Sequence, residues 1–147
     1  MPPDAPTLTI ARLSRLLENN PAVYLTLPQY RVLGLLASGE ERASLLAARL
    51  AVTKSTLTSL IDCLVDRGYV IRETSSGDRR AVRLSITAAG RGAVRDAGAA
   101  LRAVLDDVVG RCPDPAAVLS ALDDLRVALD ERSVERFAHR ATGSGAR

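Results

Sequence analysis

The chain has 147 residues, 47% of them hydrophobic and 25% charged, with a formal net charge of +3. These totals suit one soluble globular domain, or two small interleaved subdomains. No apolar run approaches the roughly 20 residues of a membrane span, and two cysteines, Cys63 and Cys112, are too few for a secreted disulfide framework and lack CxxC spacing. The first twenty residues have no basic stretch followed by an apolar one, so no signal peptide and a reducing cytoplasm are expected.

Residues 1–6 (MPPDAP) hold three prolines and predict a disordered or extended lead. From Thr7 a short helix is expected, with Ile10, Leu13 and Leu17 at i, i+3 and i+7 and a stop near Asn19-Asn20-Pro21. In LTLPQYRVLGLLAS, Thr26 is placed to cap a helix and Pro28 falls in its first turn. Val32, Leu33, Leu35 and Leu36 mark that helix as largely buried, and Ser38-Gly39 ends it. ASLLAARLAV gives about two further turns, with Ser44 as the expected N-cap and Leu45, Leu46, Ala48 and Leu50 apolar.

VTKSTLTSLIDCLVDRGYV is the clearest helix. Thr53 is its expected N-cap, Leu57, Leu60, Ile61, Leu64 and Val65 its buried stripe, and Gly68 its left-handed terminator. Only Ala51 to Thr53 separate it from the preceding helix, which is helix-turn-helix spacing. After Gly68 the apolar pattern alternates. Residues 69–73 and 82–86 read as strands joined by a longer loop, 74–81, with Val82, Leu84 and Ile86 facing the core.

Thr87 then caps a long helix in which Val94, Ala97, Leu101, Val104 and Val108 recur at coiled-coil-like steps. Gly90, Gly92 and Gly98 weaken it, by roughly 1 kcal/mol each if exposed, or permit close helix approach. Cys112-Pro113-Asp114-Pro115 breaks the chain, and Asp114 caps a last helix with Val118, Leu122, Leu125 and Leu129 in a similar seam. The apolar stripes of the first and the last two helices exceed what a small core covers and call for a partner, most simply a second copy.

Charge is unevenly distributed. Residues 24–92 hold ten Lys+Arg against six Asp+Glu, and residues 93–140 seven against nine. A basic middle beside an acidic C-terminal part suits a nucleic-acid-binding core with an association region. Aromatics make up only 3% of the chain, which argues against single-strand or RNA binding by base stacking.

Removing the apolar stripe from the helix at 54–67 leaves Lys54, Ser55, Thr58, Ser59 and Asp62 facing outward, with Thr56 at the margin. Small hydroxyl side chains let DNA approach closely and bond base edges or phosphates, and helix N-terminal amides favour phosphate. The bland alternative is that they only cap a helix and face water. The candidate DNA-binding set is Ser44, Thr53, Lys54, Ser55, Thr56, Thr58 and Ser59, with Asp78, Arg79 and Arg80 in the hairpin loop. Asp78 is placed to bond and direct a neighbouring guanidinium. Arg80 is the candidate for the minor groove, Arg79 points to phosphate or protein, and Arg83 lies on the strand's outer face.

LTLPQYRVLGLLA, ASLLAARLAVTKSTLTSLIDCLVDRGYV and SSGDRRAVRLSITAAGR together resemble the MarR family of transcriptional regulators, over roughly residues 25–92. The last is similar to the family's wing signature, in which Asp-Arg-Arg precedes a strand and a Leu-Thr-x-x-Gly helix start. Here that start reads Ile86-Thr87-Ala88-Ala89-Gly90. The resemblance implies a mainly α winged helix-turn-helix with a small β-hairpin wing, forming a homodimer on a palindromic double-stranded DNA operator, often as a repressor. It also implies a small phenolic or lipophilic ligand that releases the DNA. Asp78 and Arg80 carry over in the wing, and Lys54, Ser55, Thr58 and Ser59 on the recognition helix.

The expected organisation is an N-terminal lead and dimerisation helix (1–23), a DNA-binding domain (24–87), C-terminal dimerisation helices (88–141) and a disordered tail (142–147). Two alternatives compete: a winged-helix protein-interaction module, and a redox-sensing regulator. For the second, Cys63 beside the apolar stripe reads better as a small hydrophobe, and Cys112 lies at a helix end. His139 is the only histidine, which excludes a His-rich metal site, and no GxSxG, Walker-type loop or catalytic constellation occurs. Neither enzymatic activity, a cofactor nor a membrane partner is expected.

Overall fold

The computed structural model describes residues 5–39, 42–74 and 82–143. In chain order its elements are α1 (Ala5–Glu18), α2 (Leu27–Ala37), α3 (Ala43–Leu50), α4 (Lys54–Asp66), β1 (Val70–Thr74), β2 (Val82–Ile86), α5 (Ala88–Val109) and α6 (Pro115–Gly143). The strands pair antiparallel, Val70 opposite Ile86 and Thr74 opposite Val82.

Most helices start where a side chain satisfies a free amide. Thr26 accepts from the Gln29 N–H at 3.3 Å while Gln29 Oε1 accepts from the Thr26 N–H at 3.0 Å, a capping box with Pro28 in the first turn. Thr53 accepts from Thr56, Thr87 from Gly90 and Asp114 from Ala117, at 3.0 to 3.1 Å. Helix α3 departs from expectation: its N-cap is Arg42, without a side-chain cap, and Ser44 lies inside the first turn. The cause is non-local. Arg42 pairs with Arg83 of β2 as an isolated β-bridge, so the chain is extended at 42 and turns helical immediately afterwards.

Two helix ends also shift. Helix α1 begins at Ala5, before the expected Thr7, because a proline at position 6 is tolerated in a first turn. Helix α6 continues through Thr142 to Gly143, since no proline interrupts it after Pro115. Residues 1–4 of the expected lead and 144–147 of the expected tail lie outside the described residues.

The core is built by the middle of the chain. Val32, Leu33 and Leu36 of α2 meet Leu46 and Leu50 of α3, Leu57, Ile61 and Leu64 of α4, and Val70 and Leu84 of the hairpin. Burying each such side chain contributes about 1.5–3 kcal/mol. From α5 Ala97 joins this cluster, with Ala93 and Val94 packed against it. That helix reaches it through small residues: a Cβ on Gly90 would lie 2.3 Å from the Tyr69 carbonyl oxygen, and one on Gly98 would lie 3.2 Å from the Tyr30 hydroxyl.

The terminal helices lie outside this core. Helix α1 has no buried residue, and its end is tied to α5 by Asn20 Nδ2 donating to the Ala100 carbonyl at 3.2 Å. Leu8, Ile10 and Leu16 are exposed. Helix α6 turns back after Pro113 and lies along α3. The expected α6 seam therefore splits: Val118 and Leu122 are half-buried, but Leu125 and Leu129 are 54% and 60% exposed.

Candidate nucleic-acid interface

The turn from α3 into α4 is made by Ala51, which takes φ 55°, the left-handed region. That costs a non-glycine residue about 1–2 kcal/mol. The end of α3 is closed around it. The Ala51 and Val52 N–H groups donate to the Ala48 and Ala47 carbonyls at 3.1 Å, and Arg31 of α2 donates to the Arg49 and Leu50 carbonyls at 3.1 and 3.5 Å. An alanine carries no sequence signal for such a turn.

Helix α4 buries Leu57, Ile61 and Leu64 and exposes Lys54, Ser55, Thr56, Thr58, Ser59 and Asp62, the division its apolar spacing predicts. At its start Thr53 Oγ1 lies 3.0 Å from Ser55 Oγ and 2.8 Å from Thr56 Oγ1, a hydroxyl cluster beside Lys54. Thr58 and Ser59 donate to the Lys54 and Ser55 carbonyls at 2.9 and 3.2 Å, which settles their protons on the helix and leaves oxygen lone pairs outward. Asp62 differs from these. It pairs with Arg72 of β1 and so ties α4 to the hairpin.

Four arginines of the middle region are engaged within the protein. Arg31 holds the end of α3, Arg49 pairs with Asp130 and Arg72 with Asp62. Arg67 donates to the Tyr24 carbonyl at 3.0 Å and stacks 4.8 Å over the Tyr69 ring. Lys54, by contrast, is exposed and makes no ion pair with another described residue. A charge count along the sequence cannot separate these two groups.

Asp78, Arg79 and Arg80 lie outside the described residues. The strands leading to them are described: Leu84 is buried, and Arg83 is exposed on the other face of β2. Both cysteines are free thiols and half-buried. Cys63 is more than a filler, because Gln29 Nε2 donates to its sulfur at 3.2 Å. Among the described residues no group of three His, Cys, Asp or Glu side chains is placed to hold a metal, and no helix is long and apolar enough to cross a membrane.

A helix-turn-helix whose second helix presents a polar N-terminal half, backed directly by a two-stranded hairpin, defines a winged helix-turn-helix protein. The chain matches the model of the MarR family over residues 25–81, 57 of its 147 residues. It is similar in structure to a MarR-family transcriptional regulator from Rhodococcus sp. RHA1 (24% identity over 84% of this chain and 88% of that one, TM-score 0.72). It is also similar to the transcriptional regulator BldR from Sulfolobus solfataricus (25%, 87% and 99%, TM-score 0.68). A third likeness is to BpsR from Bordetella bronchiseptica, whose DNA binding is regulated by 6-hydroxynicotinic acid (20%, 88% and 94%, TM-score 0.72). A search of curated proteins returned no match. The chain thus shares the fold of these regulators.

Proposed function

We propose that the protein binds a palindromic double-stranded DNA operator as a homodimer and represses the genes beside it. Each protomer inserts the N-terminal half of α4 into a major groove, where Lys54, Ser55, Thr58 and Ser59 contact bases and phosphates. Ser44, Thr53 and Thr56 flank them on phosphate. In the wing, Asp78 directs a neighbouring guanidinium, Arg80 enters the minor groove and Arg79 meets phosphate. One observation carries this reading: over the first two turns of α4 every fully exposed side chain is a small hydroxyl or Lys54.

Residues 24–87 form the reading unit, and the helices before and after it form the association surface. The exposed Leu8, Ile10, Leu16, Leu125 and Leu129 support a second copy as partner. The regulation of BpsR by 6-hydroxynicotinic acid supports a small-molecule effector. Such a ligand shifts the two α4 helices away from the spacing of successive major grooves, about 34 Å, by as much as its affinities for the two arrangements differ.

A footprint on DNA flanking the gene tests the reading, with a protected palindrome expected. Arg80→Ala is expected to lower operator affinity about tenfold or more, the loss of one base contact in each half-site, with the dimer unchanged in sedimentation. Unchanged affinity removes the wing role. Weak binding that is equal on random sequence removes the regulator and leaves a protein-interaction module.

A further inference from the structure

The return of α6 along α3 is the most extensive contact between two helices among the described residues. Of residues 123–136 only Asp130 and Ser133 are partly buried, three positions apart and so on one face. Asp130 receives Arg49 Nη2 of α3 at 3.2 Å. Its other oxygen receives Arg126 at 3.5 Å, and Arg126 is itself held by Asp123 at 2.8 Å. Beside Arg49, Ala48 is 6% exposed although it stands outside the main core cluster.

The position of this grip matters. Arg49 lies four residues before Thr53, so α6 holds α3 just ahead of the turn that launches α4. The carbonyls at the same end are held from another side by Arg31 of α2. The grip is polar and half-exposed, the kind of ion pair that adds little to stability, so removing it is expected to leave both helices folded. On a neighbouring face the same α6 carries the exposed Leu125 and Leu129.

We propose that the Arg49–Asp130 pair is a joint that makes α6 and the reading unit one rigid piece, so that packing of α6 against a second copy fixes the separation of the two α4 helices. This rests on the operator-binding reading above and names the contact through which the dimer would set that separation.

The test uses the full chain and operators whose half-sites are moved apart one base pair at a time, together with a single half-site. Wild type is expected to prefer one spacing. Arg49→Ala and Asp130→Asn are each expected to lose about tenfold at that spacing and less than about twofold elsewhere and on the half-site, and the double variant to be no worse than either single one. Arg49→Lys, which keeps the charge, is expected to keep the preference. If both disrupting variants retain the wild-type preference, or lose equally on the half-site, the joint is overturned and operator binding stands. A wild type that binds no member of the series overturns the operator-binding reading and the joint with it.

Discussion

At Gly90 a single hydrogen atom lets α5 leave the hairpin. A Cβ there would meet the Tyr69 carbonyl oxygen at 2.3 Å and the Ile86 side chain at 2.8 Å. The carbonyl is not free to move: it accepts from the Thr87 N–H at 3.0 Å, and the Thr87 hydroxyl donates to the adjacent Gly68 carbonyl at 2.7 Å. Gly90→Ala is therefore expected to destabilise by about 1–3 kcal/mol, read as a lowered thermal midpoint. Gly92→Ala is the control. Its Cβ meets only the end of Arg95 at 3.9 Å, so the gain in helix propensity, roughly 0.5–1 kcal/mol, is expected to emerge. The two glycines look alike in sequence. Thr26, Thr53, Thr87 and Asp114 were legible as caps because capping is chemistry between neighbours. Ser44 misled because its cap site is pre-empted by a bridge to β2, 41 residues away in the chain.

Among the elements, α4 was the most readable, since its apolar stripe leaves a polar remainder wherever the helix packs. What that remainder does depends on partners that sequence does not name. Asp62 is drawn to Arg72, whereas Lys54 stands exposed. Lys54→Ala is expected to leave thermal stability unchanged and to reduce the slope of log affinity against log salt by about 1.8, one counterion from each half of the dimer. An unchanged slope would remove Lys54 from the phosphate contacts. The arginines of α2, α3 and β1 are expected to behave differently, because Arg31, Arg49 and Arg72 already serve carbonyls and carboxylates of the protein.

For the whole molecule, the open question of the sequence was what covers the terminal helices. Within the chain the answer is partial: α6 covers part of α3, and Leu125 and Leu129 stay outward. Leu125→Glu combined with Leu129→Glu is expected to shift the protein to monomer at micromolar concentration in sedimentation equilibrium, because charges desolvated in an apolar interface are costly. The reading unit is expected to stay folded by circular dichroism, since neither residue belongs to its core cluster. A dimer that survives both substitutions would place the association surface elsewhere.

By itself the sequence determined four of the caps, the apolar stripes, the helix-turn-helix interval and the two strands of the wing. These are set by interactions within a turn or two of chain, and their spacing is their signature. Only the tertiary structure decided where α6 lies, which arginines are engaged and which glycine is indispensable. Periodicity reveals that a helix has an apolar face but not what covers it. An ion pair between residues 81 positions apart, such as Arg49 and Asp130, leaves no local pattern to read.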